Sequence, residues 1–371
     1  MADQEGRGGL CTPTRWRLIV SGVLLAACPL LVLLFERFGE ALSGGYRPFS
    51  KGLLSLQATV ASVAPFALWD FLVVGFALAA LFTLVRRVVR RRPLLPWLSV
   101  VLLVSSATLF LFVSGWALNH YAPSLANEIG LEVGAYTDDE LAATTRHYLE
   151  RAAVLAPSVP RGEDGELLRQ DFYELARIAG GSYRELSESY GIFEGSQAPV
   201  KALLLLGEPL LLSGHVGIFF SPTGESSVPV NCAVADLPFT MCHEAAHRMA
   251  IAREQEANFA AFLACTTSDD VRFSYSGYYS AFSFCYGALR RSDPDRAARL
   301  LDEVRTSGLD AGVGLVLADL VATGRHYDAY EGWFGRVGSA VNDGYLRSFG
   351  EREGVKSYGL VVDYLIAWDR R

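Results

Sequence analysis

The sequence predicts two parts: a multi-pass α-helical membrane anchor with three spans, and a following domain of α+β, mainly α, structure. Long apolar stretches without charge are confined to the first third of the chain, which places the anchor there. The 51% hydrophobic content of the 371 residues is high for a purely soluble protein and agrees with such an anchor. Residues 119–371 have a globular composition and are numerous enough to bury a core and form a cleft.

Three apolar runs in the anchor are each long enough to cross a bilayer as a helix: residues 18–35, 67–85 and 97–118. The first run follows two arginines, so a signal peptide is the competing interpretation. We interpret it as an uncleaved anchor, because no small-residue cleavage site with a polar start comes after it. Asp70 is expected at the membrane interface beside Trp69; the alternative is a functional acid inside the membrane.

The connection at residues 86–96 predicts the orientation of the anchor, because it contains five arginines. Basic loops stay cytoplasmic, so the Arg-bearing tail at residues 1–17 is expected on the same side. The three spans within residues 18–118 then place residues 119–371 outside the cytoplasmic membrane. A lipid bilayer is therefore an expected partner, whereas a net charge of −7 gives no reason to expect nucleic acid.

Apolar spacing in the C-terminal domain predicts several helices, the first with a capping-type start at Thr137. Two β-type runs and a Ser-Pro-Thr-Gly turn precede the central part of the domain. The helices are expected at residues 137–155, 163–179, 273–289, 293–304 and 311–321, and the strands at residues 201–212 and 215–220.

The most informative stretch of the domain is residues 240–258, which read TMCHEAAHRMAIAREQEAN. His243 and His247 lie four residues apart and share one face of a helix, where both imidazoles reach the same metal ion. Glu244 then stands beside the metal and is placed to take a proton from a bound water. The alternative is an ordinary alanine-rich amphipathic helix whose histidines and acids face solvent or one another.

An acidic third ligand completes a catalytic zinc site of two histidines and one glutamate. In one unbroken helix Glu254 would lie about 10 Å along the axis from His247, so the helix must break between Arg248 and Arg253. If a second helix then begins, Glu254 and Asn258 share a face, and Asn258 is placed to support a ligand. Glu254 is therefore the expected third ligand, with Glu256 as the alternative.

Three further residues are candidates for contacts with a substrate. His215 lies in the expected strand ahead of the motif, the position from which such enzymes hold an extended peptide through main-chain hydrogen bonds. Tyr275 and Tyr278 lie in an aromatic helix where most rings belong to the core, but a tyrosine there can donate to a developing oxyanion.

The chain resembles the bacterial, membrane-anchored domain-of-unknown-function family 3810. The resemblance rests on several blocks in one order: GIFFSPTGE, PFTMCHEAAHRMAIAREQEANFAAFLA, YSGYYSAF and NDGYLRSFGEREGVKSYGLVVDYLIAW. The family pattern is similar to HExxHxxGxxxExEANF, but this chain has Ala250 where the pattern favours glycine. A turn with positive φ at Ala250 would cost about 1 kcal/mol.

A wider resemblance is to gluzincin peptidases, in which the third ligand starts an E-x-x-x-D type motif; here Asn258 stands in the place of the aspartate. It implies a zincin-like metallopeptidase domain. The predicted function is therefore a membrane-anchored metallopeptidase that uses Zn²⁺ and acts on a peptide or protein. The alternatives are a non-catalytic metal-binding or sensing module and a scaffold membrane protein. An intramembrane protease is disfavoured, because the motif lies in a polar domain far along the chain from the last span.

Overall fold

The computed structural model describes residues 12–349 and 360–371, so most of the tail at residues 1–17 and the segment at 350–359 lie outside it. The described chain is mainly helical and carries one small sheet. The anchor consists of α1 Thr12–Ala61, α2 Leu68–Val89 and α3 Leu95–Gly115, followed by a short 3₁₀ turn at Ala117–Tyr121.

Helix α1 is much longer than the expected span at residues 18–35 and is bent. The ring centroids of Phe35 and Tyr46 lie 4.9 Å apart, whereas eleven residues of straight helix rise about 16 Å. Gly44 and Gly45 lie in this region, and Pro48 removes one helical hydrogen bond just beyond them. The helix therefore has two legs, and the second, residues 36–61, contacts the end of α3 through Ser50 and leads to the domain. We name residues 36–61 the outer leg.

In the described part of the chain twelve α-helices follow the anchor, and most of them share one apolar core with the motif helix. They are α4 Leu125–Ile129, α5 Asp138–Leu155, α6 Phe172–Gly181, α7 Arg184–Ser189, α8 Gly207–Leu212, α9 Leu237–Arg248, α10 Glu254–Thr266, α11 Val271–Ser292, α12 Pro294–Val304, α13 Asp310–Asp328, α14 Trp333–Ser348 and α15 Val361–Asp369. All twelve residues of α9 are buried, so the candidate motif lies inside the domain.

Four helical stretches in the described part are long and apolar enough to cross a membrane: Thr12–Ala61, Leu68–Val89, Leu95–Tyr121 and Pro294–Asp328. The first three contain the expected spans. The fourth has a non-helical backbone at Gly308, with φ 97°, and its Val313 and Val316 are buried in the domain core. Asp319 in the same stretch is paired with Arg161 at 2.7 Å, so protein covers this helix on one side.

The sheet has three strands in the order β1-β3-β2, with β1 Lys201–Leu203 parallel and β2 Ile218–Phe220 antiparallel to β3 Glu225–Pro229. Among the described residues β2 has a single neighbouring strand, so it forms an edge of the sheet. Ser226 of β3 donates from its hydroxyl to the backbone carbonyl of Glu244 at 2.6 Å, which holds the sheet against α9.

The anchor and the domain are joined through this sheet. Glu225 accepts from the backbone N–H groups of Leu68 and Trp69 and so caps the start of α2. The buried ammonium of Lys201 donates to the carbonyls of Ala61 and Ala64 at the end of α1. The end of α1 and the start of α2 are therefore bound to strands of the domain.

Several helix predictions are confirmed, among them residues 137–155, where Thr137 and Glu140 form a reciprocal capping box. Three predictions are wrong in extent. The strand expected at residues 215–220 is only β2 Ile218–Phe220, because pairing with β3 covers these three residues, so His215 precedes the strand. The helix expected at residues 163–179 begins only at Phe172. The strand expected at residues 201–212 ends at Leu203, because the buried Asp70 carboxylate binds the next three backbone N–H groups, and α8 follows.

Candidate metal centre

The turn between α9 and α10 brings the acidic part of the motif back to its two histidines. Helix α9 ends at Arg248 and α10 begins at Glu254, as the geometry of the sequence requires. Ala250 has φ 62°, and the N–H groups of Ala250 and Ile251 donate to the carbonyls of His247 and Ala246 at 3.1 and 3.3 Å. This is a Schellman turn built on alanine instead of glycine.

Three side chains converge at this turn, and each offers one ligand atom. The Nε2 atoms of His243 and His247 are 3.2 Å apart. The Glu254 carboxylate oxygens lie 3.2 Å from His243 Nε2 and 3.8 Å from His247 Nε2. The three candidate ligand atoms lie within 4.8 Å of one another.

The other ring nitrogen of each histidine is held by an acceptor. His247 Nδ1 lies 2.8 Å from the carbonyl oxygen of Ile251, and His243 Nδ1 lies 2.8 Å from Oδ1 of Asn258. A carbonyl only accepts, so Nδ1 of His247 carries the proton and Nε2 presents a lone pair to the cluster. The amide oxygen of Asn258 likewise accepts from Nδ1 of His243, so both rings are held with Nε2 toward the cluster.

The charges of the cluster are strongly coupled. Burial would raise the pKa of Glu254, but the hydrogen bond from His243 and the charges of both histidines lower this pKa to about 2. Burial lowers the pKa of His247 to about 4. Burial also opposes protonation of His243, but its hydrogen bond to Glu254 and the Glu254 charge raise the pKa. A proton on His243 Nε2 therefore binds the Glu254 carboxylate, and a divalent cation would take the place of this proton beside the lone pair of His247.

Glu244 lies beside the cluster, in the wall of the same cleft. Burial raises the pKa of Glu244 to about 8, and its Oε2 has no hydrogen-bond partner among the described protein atoms. A Cβ added to Gly217 would lie 2.4 Å from Oε1 of Glu244, so only glycine allows this close approach of the strand region to the carboxylate. Gly217 was not singled out from the sequence.

Glu256 points away from the histidines. Its carboxylate pairs with Arg253 at 2.9 Å and accepts from the Tyr364 hydroxyl at 3.2 Å. Arg253 in turn donates to the carbonyls of His120 and Ala122, so Glu256 belongs to the contact between α10 and the segment after α3. The structure places Glu254, and not Glu256, in the cluster.

A cleft of about 900 Å³ opens onto the cluster. Residues 213–219, which include His215 and part of the edge strand β2, form one wall. The Ser213 hydroxyl lies 2.9 Å from His215 Nδ1, and burial lowers the pKa of His215. Phe239 and Phe284 add apolar surface to the cleft.

Tyr275 and Tyr278 do not line this cleft. The buried hydroxyl of Tyr275 donates to the carboxylate of Asp319, which also pairs with Arg161. Tyr278 accepts from Arg151 at 3.3 Å on the far side of the aromatic helix. Both tyrosines therefore have structural partners away from the cluster.

A residue that the sequence did not identify, Trp116, links the anchor to the cluster. Its indole Nε1 donates to the backbone carbonyl of His247 at 2.9 Å, and its ring lies edge-on to the His247 ring at 5.6 Å between centroids. Trp116 directly follows α3. No local pattern in the sequence indicates this contact, because 131 positions separate the two residues.

The fold and the site define a membrane-associated, mainly helical protein with a buried cluster of two histidines and one glutamate. Residues 46–366 match the family described as protein of unknown function (DUF3810). This match covers most of the chain, so the protein belongs to the DUF3810 family. No curated protein and no solved structure matches the chain.

Proposed function

We propose that the protein is a membrane-anchored zinc metallopeptidase that hydrolyses peptide bonds. The observation that carries this proposal is the convergence of His243, His247 and Glu254 within 4.8 Å, with Glu244 in the adjoining cleft wall. Two imidazoles and one carboxylate are the ligand set of a catalytic zinc site, and they leave a coordination position for water or substrate.

The chemistry of the donor atoms fits a divalent cation. Both Nδ1 atoms face hydrogen-bond acceptors, so the Nε2 lone pairs of His243 and His247 point toward the Glu254 carboxylate. Three electron-pair donors so close together repel one another unless a proton or a metal ion lies among them, and a divalent cation can bind all three. Bound zinc would supply a Lewis acid that polarises the peptide carbonyl and activates water.

Glu244 is the proposed general base and acid. Its carboxylate accepts a proton from the attacking water, whose oxygen bonds to the carbonyl carbon of the substrate. Glu244 then delivers this proton to the amine nitrogen as the C–N bond breaks. The positive charge of a bound cation would lower the pKa of Glu244 from its raised value and keep the carboxylate ionised as a base.

The edge strand β2 is the proposed site for the main chain of the substrate. It borders the cleft, and among the described residues it pairs on one side only, so its other side can add an extended peptide as a further strand. Gly217 and His215 lie in this wall, so a substrate backbone bound along β2 would lie beside Glu244.

The proposed location is the cytoplasmic membrane, with the N-terminus inside and the domain outside. The end of α1, the start of α2 and the end of α3 all contact the domain. The Arg-rich connection lies at the opposite ends of α2 and α3. A basic connection retained in the cytoplasm then puts the domain on the external side.

The decisive test is the metal content of the full chain purified in detergent, measured by elemental mass spectrometry. The full chain is required because Lys201, Glu225 and His247 all bond to residues of the anchor or its end. We expect about one zinc per chain for wild type and for Glu244→Gln, and none for His243→Ala. Hydrolysis of a peptide mixture should occur with wild type and be lost with Glu244→Gln.

The alternative functions give different results in the same experiment. A metal-binding or sensing module would carry zinc, but neither the wild type nor Glu244→Gln would hydrolyse peptides. A scaffold protein would stay folded and metal-free after zinc is offered. Either result would reject the peptidase proposal.

A further inference from the structure

The end of α3 reaches the candidate metal centre. Phe112, in the last turn of α3, and Trp116 both line the cleft. Helix α3 has 21 residues, a length of about 30 Å that matches the hydrocarbon thickness of a bilayer. In the proposed topology, the cluster therefore lies within about a side chain's length of the outer end of this span.

The outer leg of α1 has exposed charges at its start, Glu36, Arg37 and Glu40, but from Leu42 onward its exposed residues are mainly apolar. One face, with Gly39, Ser43, Ser50, Leu54 and Ala58, is buried against protein. The exposed apolar residues recur at helical spacing, and they are Leu42, Phe49, Leu56 and Val60. In the proposed topology this segment connects one span to the next, and its exposed apolar residues are suited to the membrane interface.

A second exposed apolar surface borders the cleft. Leu204, Leu205 and Leu212 are exposed at 42 to 47% and lie on the segment held by Asp70 of α2 and on α8. Trp333 and Val337 are exposed on α14, whose Gly338 packs against the backbone of Ser213 in the cleft wall. We name these five residues the apolar rim. The rim is continuous with the start of a membrane span.

We propose that the substrates are membrane-tethered polypeptides, cut within about ten residues of the point where they leave the bilayer, a reach of about 33 Å. This inference rests on the proposed peptidase function and specifies its substrate class. The apolar rim and the outer leg of α1 seat the cleft on the outer leaflet. A polypeptide anchored in the same bilayer then reaches β2 at high effective concentration.

The chemistry of the cleft agrees with such a substrate. Phe112, Ile218, Phe239 and Phe284 present apolar surface to side chains of the kind found near membrane spans. A soluble polypeptide gains no such proximity, because its concentration at the cleft is that of the bulk solution. The position of the site, and not a specific side-chain pocket, would select the substrate.

The first experiment tests the seating of the cleft without using activity. Full-length Glu244→Gln with Cys11→Ser is labelled at Leu205→Cys or Leu212→Cys with a bimane fluorophore and placed in phosphatidylcholine vesicles with brominated acyl chains. The other cysteines of the described chain are buried, which favours labelling at the new site. We expect strong quenching at both positions and none at Val154→Cys, on α5. Equal emission at all three positions would overturn the inference.

The second experiment tests the substrate class. A library of randomised segments is offered to the full-length protein in vesicles, either fused to one apolar transmembrane helix or free in solution. We expect the tethered library to be cleaved at least about tenfold faster, with cuts clustered near the helix. A Leu205→Glu variant should lower this preference, and Val154→Glu should not.

The outcomes separate the two proposals. Equal cleavage of both libraries, or cuts far from the membrane helix, would overturn the inference and leave the peptidase function standing. Absence of zinc-dependent cleavage of either library would overturn the peptidase function and the inference together.

Discussion

The backbone carbonyl of His247 accepts two hydrogen bonds, from Trp116 Nε1 at 2.9 Å and from the Ala250 N–H at 3.1 Å. One donor directly follows helix α3 of the anchor, and the other lies in the turn that returns Glu254 to the cluster. A carbonyl oxygen has two lone pairs, so both are used here. The position of the second histidine therefore depends on the anchor as well as on the motif.

Replacement of Trp116 by phenylalanine tests this link. Trp116→Phe keeps an aromatic ring against Phe219 and His120 but removes the donor. We expect a loss of about 1 kcal/mol in the free energy of unfolding, because one buried hydrogen bond is lost. Thermal unfolding of the full chain in detergent measures it, and unchanged stability would show that the contact contributes little.

Asn258 should control zinc affinity through His243. Asn258→Leu removes the acceptor for His243 Nδ1, and such outer contacts typically change metal affinity by about 10- to 100-fold. Asn258→Asp is the matched control, because it keeps an acceptor at the same position. Competition with a zinc chelator measures both, and equal affinities for the two variants would contradict the prediction.

Gly217 should be needed for catalysis but not for metal binding. In Gly217→Ala the new Cβ would lie 2.4 Å from Oε1 of Glu244, so the carboxylate must move. We expect hydrolysis to fall by at least about tenfold, since displacement of a catalytic group is costly, while the zinc content stays at the wild-type level. Gly181→Ala is the control, because nothing lies within 4 Å of its added Cβ. Full activity in Gly217→Ala would contradict the close approach of Gly217 to the Glu244 carboxylate.

Replacement of Ala250 in the Schellman turn by glycine should not lower stability, although alanine-to-glycine changes usually do. Ala250 is buried with φ 62°, a backbone conformation that strains alanine and not glycine. We expect Ala250→Gly to leave stability unchanged or to raise it by up to about 1 kcal/mol, as relief of strain offsets the lost methyl group. Ala260→Gly, also buried but inside helix α10, should lower stability by about 1 kcal/mol. Similar losses in both variants would show that the turn is not strained.

The pair formed by His147 and Asp369 should make stability depend on pH. The hydrogen bond to Asp369 raises the pKa of His147, whereas the pKa of Asp369 is lowered by this bond despite its partial burial. The histidine contribution is present below its unfolded pKa of about 6.5 and is lost as the pH rises through the raised value. The aspartate contribution is lost in acid, as the pH falls through its lowered pKa.

We therefore expect His147→Gln to lower the melting temperature more at about pH 5.5 than at about pH 8.5. In an Asp369→Asn background the effect of His147→Gln should not depend on pH. The same difference at both pH values in the wild-type background would contradict the assigned pair.

Local pattern was sufficient for much of the architecture. The apolar runs, the capping box at Thr137 and the break between Arg248 and Arg253 depend on residues close together in sequence. Local pattern cannot predict where a strand ends if a residue far away in the sequence binds its backbone. The strand expected at residues 201–212 stopped at Leu203 because Asp70, more than 130 positions away, takes the backbone N–H groups that a longer strand would need.

The sequence by itself determined that two histidines share a helical face and that an acid must return to them, since helix geometry fixes both. Only the tertiary structure decided which acid does so: Arg253 and Tyr364 hold Glu256 away, and Glu254 is left to face the histidines. It also moved Tyr275 and Tyr278 away from the cleft and brought Trp116 to His247. These outcomes depend on contacts between residues far apart in the chain, which helical and strand periodicity do not encode.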